Sequence, residues 1–368
     1  MRKISDYDLV NLSNSILKHY GVDTFHETIP ELDKMLEGHK KIVFMLFDGM
    51  GKNITRMHLD ESSFIRSHYK FTIDSTFPPT TAAATTAFLS GKYPVETGWT
   101  AWDAYFKELD RNVILFLNID YNTEEKIANN YVRDAIKYDS IIDLINKKDP
   151  NNHAMLMQRY PINFDGPNDI PESYEMLTNV LRNSDKCFVY YYYDSPDKEM
   201  HEYGIDVPLI KDTCEEINKF VEKITSENPD TLFITFADHG HINPKYVDIC
   251  YYPELVNMLR KPVGGEKRST QFFVKPECLE DFKSLFLKIY GNYFELLSKE
   301  EMYKEELFGV GKPHPLFDDM LGDYIAISKC EYSILSKKDF TRMEILKGHH
   351  AGGTVEEKLI DVSVYNNK

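Results

Sequence analysis

The chain has 368 residues, of which 42% are hydrophobic and 28% are charged. This length suffices for one large domain, or two smaller ones, around a sizeable core. The formal net charge of −16 excludes the basic face that nucleic-acid polymers require, but it permits a small phosphorylated substrate beside a metal ion.

The first predicted element is an amphipathic helix over residues 7–20, with Leu9, Leu12 and Ile16 on one face. Acidic residues lie where a secretory signal peptide would need an apolar stretch. The longest apolar runs fall short of the roughly 20 residues of a membrane span. The five cysteines, without Cys-x-x-Cys spacing, indicate reduced thiols. We therefore expect a cytoplasmic protein with no membrane partner.

Strands and helices then alternate along the chain. Apolar runs predict strands at 41–47, 153–157, 187–193 and 231–237. Helical patterns separate or flank these runs near 80–90, 137–147, 170–182 and 207–226. Such alternation is typical of a parallel sheet with helices on both faces. The predicted fold is therefore α/β and doubly wound, with a mostly parallel central sheet.

Residues 242–345 differ in texture, because short strands mix there with polar helices. Within this stretch, Lys-Pro-Val-Gly-Gly-Glu-Lys at 261–267 predicts an exposed loop. We expect 242–345 to form a small inserted α+β cap over one edge of the sheet. Residues 1–241 and 346–368 would then form the catalytic core.

Acidic residues and histidines follow three of the predicted strands. These side chains are Asp48 after 41–47, Asp197 and His201 after 187–193, and Asp238 and His239 after 231–237. The carboxyl ends of parallel strands meet at one edge of a sheet, so we expect these groups to gather there. Burying them costs several kcal/mol unless they are paired or bind a metal. One such strand end would suit a capping Asp equally well, but three favour a metal site, with zinc preferred over manganese or iron.

Five segments of the chain, in order, resemble the nucleotide pyrophosphatase/phosphodiesterase branch of the alkaline phosphatase superfamily. They are Asp48-Gly49, Ser75-Thr-Phe-Pro-Pro-Thr-Thr-Ala-Ala-Ala with Leu89-Ser-Gly-Lys-Tyr-Pro, Asp197-x-x-x-His201-x-Tyr-Gly204, Asp238-His239-Gly240, and Gly348-His-His350-Ala-Gly-Gly353. Each segment alone is weak evidence, but the ordered set spans nearly the whole chain and is specific.

The resemblance implies a hydrolase that cleaves a phosphodiester, pyrophosphate or phosphonate bond through a covalent phospho-threonine. It also implies two divalent metal ions, with zinc favoured and manganese as the alternative. The implied residues are Asp48, Thr81, Asp238 and His239 for one ion, and Asp197, His201 and His350 for the other, with Thr81 as the nucleophile. One ion would lower the pKa of the threonine hydroxyl, and the second would steady the leaving or attacking oxygen.

Two of these assignments depend on the register of the match. Counting back ten positions from Gly91, as in the family, gives Thr81 as the nucleophile. Thr80 is then the residue before a helix, where it suits an N-cap. His350 fits the family's His-Gly-Gly string better than His349 does.

Three further residues have weaker claims on the site. Asp194 is a rival of Asp197, but the His-x-Tyr-Gly tail fits the family only from Asp197. We expect His241 to lie at the surface or behind the ligands. For His314, packing within a loop is favoured over reaching the site from the cap.

One departure from the family concerns the substrate. The family's eukaryotic diesterases carry an asparagine about 21 positions after the threonine, where it binds a phosphoryl oxygen, and here that position is Trp102. Trp102 and Trp99 belong to an aromatic cluster that suits stacking with a base or packing of a lipid or sugar group. Ordinary core packing explains the cluster equally well. The expected partner is a small phosphoester, nucleotide or phosphonate.

The residues after Thr81 bear on related activities. Alkaline phosphomonoesterases place an arginine close behind their nucleophile to bind a dianionic phosphate, whereas alanines follow Thr81. This favours a less charged ester. A phosphomonoesterase and a catalytically inactive metal-binding or regulatory protein on the same scaffold are the alternatives.

Overall fold

The computed structural model describes residues 3–158, 166–336 and 345–366. The strands are β1 (Lys41–Phe47), β2 (Tyr69–Asp74), β3 (Asp103–Phe106), β4 (Arg111–Ile114), β5 (Ile119–Asp120), β6 (Ala154–Met157), β7 (Cys187–Tyr193), β8 (Thr231–Phe236), β9 (Lys245–Asp248), β10 (Gly264–Gly265), β11 (Ser269–Phe272), β12 (Phe294–Ser298), β13 (Tyr324–Ser328), β14 (Tyr332–Leu335) and β15 (Leu359–Tyr365).

The α-helices are α1 (Leu9–His19), α2 (Pro30–Leu36), α3 (Lys52–His58), α4 (Phe64–Ser67), α5 (Thr81–Ser90), α6 (Pro94–Thr97), α7 (Tyr131–Ala135), α8 (Ile141–Lys148), α9 (Ile170–Arg182), α10 (Asp197–Tyr203), α11 (Pro208–Glu227), α12 (Pro253–Asn257), α13 (Leu279–Tyr290), α14 (Lys299–Lys304), α15 (Phe317–Met320) and α16 (Val355–Lys358). Short 3₁₀ turns occur at Pro150–Asn152, Ile249–Tyr251 and Pro276–Cys278. Within the described ranges, no helix has both the length and the apolar character of a membrane span.

A six-stranded sheet with the order β2-β15-β8-β1-β7-β6 forms the centre of the fold. β1 pairs in parallel with β7 and β8, and β7 pairs in parallel with β6. β15 is antiparallel to β2 and β8. The near-continuous apolar runs of the central strands reflect burial on both faces of the sheet. The predicted α/β fold with a mostly parallel central sheet is confirmed.

Neighbouring tyrosines of β7 show that helices cover both faces. Tyr190 stacks on Phe88 of α5, with ring centroids 5.1 Å apart. The next residue, Tyr191, instead contacts Phe220 of α11 at 5.9 Å. Successive side chains of a strand point to opposite faces, so α5 and α11 lie on opposite sides of the sheet.

The register of the central strands brings their carboxyl ends to one edge. Phe47, the last residue of β1, pairs with Tyr193, the last residue of β7. Leu46 pairs with Phe236 at the end of β8. The segments that follow these strands therefore begin side by side, at the edge where an α/β sheet places its ligands.

A second, antiparallel sheet with the order β10-β11-β13-β12 is formed by residues 264–328. It packs with α13 around Phe272, Phe282 and Phe286. The boundaries of the cap at 242–345 stay a prediction, and residues 337–344 lie outside the described residues.

The prediction of an exposed loop at 261–267 is wrong. Residues 264 and 265 form strand β10, and Glu266 is only 6% exposed. The glycines and charged residues of this segment indicated a solvated turn, but the second sheet packs the segment against the rest of the protein.

Candidate active site

The loop after β1 lies against the segments that follow β7 and β8. Asp48 is the first residue of this loop and is buried. Gly49 has a φ of 71°, and a Cβ added there would lie 3.0 Å from Cβ of Asp197. The Gly49 amide donates a hydrogen bond of 3.1 Å to Oδ1 of Asp238. Because a side chain at Gly49 would separate these segments, the glycine allows three carboxylates to approach one another.

Thr81 is the first residue of α5, and its hydroxyl points toward the acid of β1. Its Oγ1 lies 3.3 Å from Oδ2 of Asp48 and 3.3 Å from Nε2 of His239. Thr80 occupies the N-cap position, but its hydroxyl makes no capping hydrogen bond and interacts with Glu266. The structure thus sets Thr81, rather than Thr80, among the acid and imidazole groups.

A second group of side chains surrounds Asp197 at the start of α10. Nε2 of His201 lies 3.4 Å from Oδ2 of Asp197, and Nε2 of His350 lies 3.8 Å from Oδ1. Nδ1 of His201 is 2.9 Å from the carbonyl of Gly348, and Nδ1 of His350 is 3.0 Å from the carbonyl of Pro79. A carbonyl only accepts, so each Nδ1 carries the proton, and in the neutral ring Nε2 then keeps its lone pair.

The two groups touch through stacked imidazoles. The rings of His239 and His350 lie 3.8 Å apart with an interplanar angle of 19°. Two sets of side chains offer ligand atoms within 4.8 Å of one another, namely Asp48, Asp197 and His239, and Asp197, His201, His241 and His350. Asp197 belongs to both sets, whereas the sequence had assigned it to one. All seven residues predicted to hold metal therefore lie in one contiguous site.

The donor set suits a pair of divalent cations. Oδ2 of Asp238 is buried and accepts no hydrogen bond from any residue of the described chain. It lies 3.5 Å from Nε2 of His239, the same nitrogen that lies 3.3 Å from the Thr81 hydroxyl. An unpaired buried carboxylate oxygen is costly, and a cation removes that cost. Carboxylates combined with imidazole Nε2 atoms are the ligands that zinc and manganese accept.

The electrostatics of the site also favour cations. Burial, and then the neighbouring charges of Asp238 and Asp197, raise the pKa of Asp48 well above its usual value. Burial likewise raises the pKa of Asp238. Burial opposes ionisation of Asp197 too, but nearby imidazoles, His201 foremost, outweigh it and lower its pKa. Burial lowers the pKa of His350, which keeps that ring neutral. Cations would allow all three acids to remain ionised.

A cavity of about 980 Å³ opens onto the Thr81 side chain. Trp102, Phe116 and Tyr121 contribute aromatic surface to its lining. Trp99 is only 3% exposed and packs against Phe116 at 5.2 Å, while its indole N–H donates to a backbone carbonyl. Trp102 is therefore positioned to meet a substrate, whereas Trp99 has the environment of a core residue.

Three remaining sequence candidates belong to neither metal-ligand set. His349 lines the cavity, and its Nδ1 accepts the backbone amide of His350 at 2.9 Å. His350, whose Nε2 lies 3.8 Å from Oδ1 of Asp197, is the histidine that faces this acid. Asp194 lines the cavity without belonging to either set. His314 accepts a backbone amide within its own loop, as expected.

Of the two positions expected for His241, the surface is wrong, and the ring belongs to one of the metal-ligand sets. It is fully buried rather than at the surface, and its Nε2 lies 2.6 Å from Oδ1 of Asp197. The available signal was the second histidine of Asp-His-Gly-His, directly after a buried strand.

Two other residues of the site were missed. The Tyr192 hydroxyl donates to Oδ2 of Asp48 and so orients that carboxylate. Glu266 reaches the cavity from the second sheet and accepts the amide of Trp102 at 2.6 Å. Tyr192 lies in a run of four tyrosines, where only the strand's alternation separates the faces, and Glu266 carries no sequence motif at all.

Comparisons with known proteins identify a matching family and similar folds. Residues 42–260, more than half of the chain, match the family described as type I phosphodiesterase/nucleotide pyrophosphatase. A comparison with curated proteins gives no match.

Solved structures with a similar fold include murine ectonucleotide pyrophosphatase/phosphodiesterase 5. It is matched both as such and as an inactive threonine-to-alanine variant in complex with AMP, with a TM-score of 0.65 and 13% identity over 89% of this chain and 88% of that chain. The human protein of the same name gives a TM-score of 0.64 and 14% identity over the same shares. At these identities the likeness is one of fold.

Proposed function

Since the chain belongs to the type I phosphodiesterase/nucleotide pyrophosphatase family and is a phosphoester hydrolase, we propose that it acts through a covalent phospho-threonine on Thr81. The bond cleaved is a phosphodiester, pyrophosphate or phosphonate bond. The observation that carries the proposal is the Thr81 hydroxyl, 3.3 Å from both Asp48 and His239 at the start of α5. A hydroxyl activated by such neighbours is suited to nucleophilic attack.

Two divalent cations are part of the proposal, with zinc favoured and manganese as the alternative. The residues that would hold them are Asp48, Thr81, Asp238 and His239 on one side, and Asp197, His201 and His350 on the other. Such ions, when bound, acidify the hydroxyl and stabilise the charge that develops on the phosphoryl group. The unpaired Oδ2 of Asp238 supports this assignment.

Residues of the chain itself attack the phosphorus, transfer the proton and bind the phosphoryl oxygens. The Thr81 oxygen attacks phosphorus as its proton moves toward the Asp48 carboxylate, and the bond to the leaving oxygen breaks. The proton taken from Thr81 passes to the leaving oxygen, which departs as an alcohol, or as a phosphate when a pyrophosphate is cleaved. Water then attacks the phospho-threonine and the bond from phosphorus to Oγ1 breaks. One proton of the water passes to Oγ1 of Thr81, and the hydroxyl stays on phosphorus. The amides at the start of α5 are oriented to donate to the phosphoryl oxygens.

The substrate is proposed to be a small phosphoester, nucleotide or phosphonate. The AMP complex of the murine neighbour supports a nucleotide-sized ligand, and Trp102 offers a face for stacking in the cavity. The lack of an arginine close behind Thr81 favours a diester over a dianionic monoester. A cytoplasmic location also stays part of the proposal.

The test is hydrolysis of bis-p-nitrophenyl phosphate by protein loaded with zinc or manganese. We expect Thr81→Ala to lower kcat by about 1,000-fold or more with unchanged metal content, and Thr80→Ala to lower it far less. Near-normal turnover by Thr81→Ala would remove Thr81 from the nucleophile role. Full metal occupancy without turnover of several diesters would favour an inactive metal-binding protein.

A further inference from the structure

Glu266 is a buried carboxylate in the substrate cavity that the reaction described above does not use. It lies in the hairpin between β10 and β11 and is 6% exposed. The same cavity is lined by Thr80, Thr81 and Trp102. Unlike Asp48 and Asp197 in the same lining, Glu266 belongs to neither metal-ligand set, so its negative charge faces the substrate without an assigned cation.

Its contacts hold the carboxylate beside the nucleophile. Oε1 accepts the backbone amide of Trp102 at 2.6 Å, and the hydroxyl of Thr80 also interacts with Glu266. Thr80 directly precedes Thr81. These contacts hold the acid next to the residue that precedes Thr81.

The hairpin that carries Glu266 is anchored, so the acid does not swing freely into solvent. Arg268, two residues further on, is fully buried and forms a bidentate ion pair with Glu357 at 2.6 and 2.9 Å. Arg268 also donates to the carbonyls of Cys330 and Tyr332. The guanidinium of Arg268 is thus bonded to Glu357 and to these two carbonyls rather than to Glu266. Lys267 lines the same cavity as the basic neighbour of Glu266.

We propose that Glu266 is a specificity-determining residue that disfavours a second negative charge on the phosphoryl group, so that monoanionic diesters are selected over dianionic monoesters. This inference rests on the proposed function and names its substrate class. A fixed negative charge in a cavity of low dielectric raises the energy of a dianion more than that of a monoanion. Burial raises the pKa of Glu266 to about 7, so the acid is ionised in mildly alkaline solution, where p-nitrophenyl phosphate is a dianion.

The experiment compares Glu266→Gln with the metal-loaded wild-type enzyme at about pH 8.5, above the pKa of Glu266. Glutamine keeps an oxygen that can accept the Trp102 amide, and it removes only the charge. The quantity measured is the ratio of kcat/KM for p-nitrophenyl phosphate to kcat/KM for its bis ester. We expect this ratio to rise about tenfold or more in Glu266→Gln. Inorganic phosphate should also inhibit this variant more strongly than wild type.

Two variants serve as controls. Glu266→Asp retains the charge and should keep a ratio near that of wild type. Glu254→Gln removes an exposed acid outside the described cavity lining and should leave the ratio unchanged, which separates a local effect from the overall negative field. Folding of each variant is checked by circular dichroism and by metal content.

The outcomes separate this inference from the proposed function. An unchanged ratio in folded Glu266→Gln, or an equal loss with both esters, overturns the inference while the diesterase stands. If Glu266→Gln does not fold, the wild-type enzyme still decides: faster cleavage of the monoester than of the diester overturns the charge filter. The loss of activity in Thr81→Ala tests the catalytic mechanism independently of either result.

Discussion

Nε2 of His241 lies 2.6 Å from Oδ1 of Asp197, the carboxylate shared by the two metal-ligand sets of the site. Burial lowers the pKa of His241 to about 4, so the ring is neutral at physiological pH and its Nε2–H donates to the acid. Its Nδ1 finds no hydrogen-bond partner among the described residues. Through this bond His241, itself a member of one of the two sets, is placed to orient the Asp197 carboxylate, as outer partners orient metal ligands.

We expect His241→Ala to weaken binding of one divalent ion by about 10- to 100-fold, because Asp197 loses its orienting donor. His241→Gln should recover most of this affinity, since its side-chain amide can donate in the same place. Competition with a chelator, followed by elemental analysis, measures the effect. His153→Asn is the control, because it removes an exposed imidazole from a left-handed backbone position that asparagine tolerates. Wild-type affinity in His241→Ala would contradict the role.

Asp238→Asn is expected to lower the metal content from two ions toward one. The substitution removes the negative charge of the Asp238 carboxylate, whose Oδ2 has no hydrogen-bond partner among the described residues. Asp238 is assigned to only one of the two proposed metal positions. Asp230→Asn is a matched control, since Asp230 precedes the same strand, β8, at its opposite end and is largely exposed. Elemental analysis of both variants decides, and full occupancy in Asp238→Asn would remove that residue from the ligand set.

Tyr192→Phe should reduce kcat for the bis ester by roughly tenfold, because Asp48 loses a charge-assisted hydrogen bond that orients it toward Thr81. The ring remains, so the fold should be kept. Tyr190→Phe provides the comparison two residues away, since the Tyr190 hydroxyl is buried without a hydrogen-bond partner in the described chain. Steady-state kinetics are the measurement, and equal effects of the two changes would argue against a specific role for Tyr192.

The pH dependence of stability tests the environment of Glu266 in protein stripped of metal. Burial raises its pKa from 4.5 to about 7, although Thr80, the Trp102 amide, His239 and Lys267 all act to lower it. Between these values the folded state holds more protons than the unfolded state, so the free energy of unfolding falls as the pH rises.

Glu266→Gln should therefore be more stable than wild type at about pH 8, by roughly 3 kcal/mol, and nearly equal to it at about pH 4. Urea unfolding at the two pH values measures the difference. An equal gain in the free energy of unfolding at both pH values would show that ionisation of Glu266 is not the source of the gain.

Much of the site could be predicted from local sequence. The strands at 41–47 and 187–193 were predicted with the bounds that the structure has, because uninterrupted apolar runs indicate burial on both faces. Parallel pairing then requires the residues after these strands to meet at one edge. The convergence of Asp48, Asp197 and Asp238 follows from that rule and from the family motifs.

Glu266 and His241 show where such reasoning ends. The segment 261–267 has the composition of a solvated loop, yet in the fold its acid is buried and accepts the amide of Trp102. The hairpin that carries this acid is anchored by the ion pair of Arg268 and Glu357, which are 89 positions apart in the chain.

Apolar runs and their spacing thus predicted the central sheet, because burial within each strand is a local property. The resemblance to the family supplied the proposed nucleophile Thr81 and the acids and imidazoles expected around it. The tertiary structure alone decided that Asp197 is shared between both metal-ligand sets and that Glu266 faces the substrate cavity. The energy of a charge depends on its distance to other charges and on the dielectric around it, and both are set by contacts between remote parts of the chain.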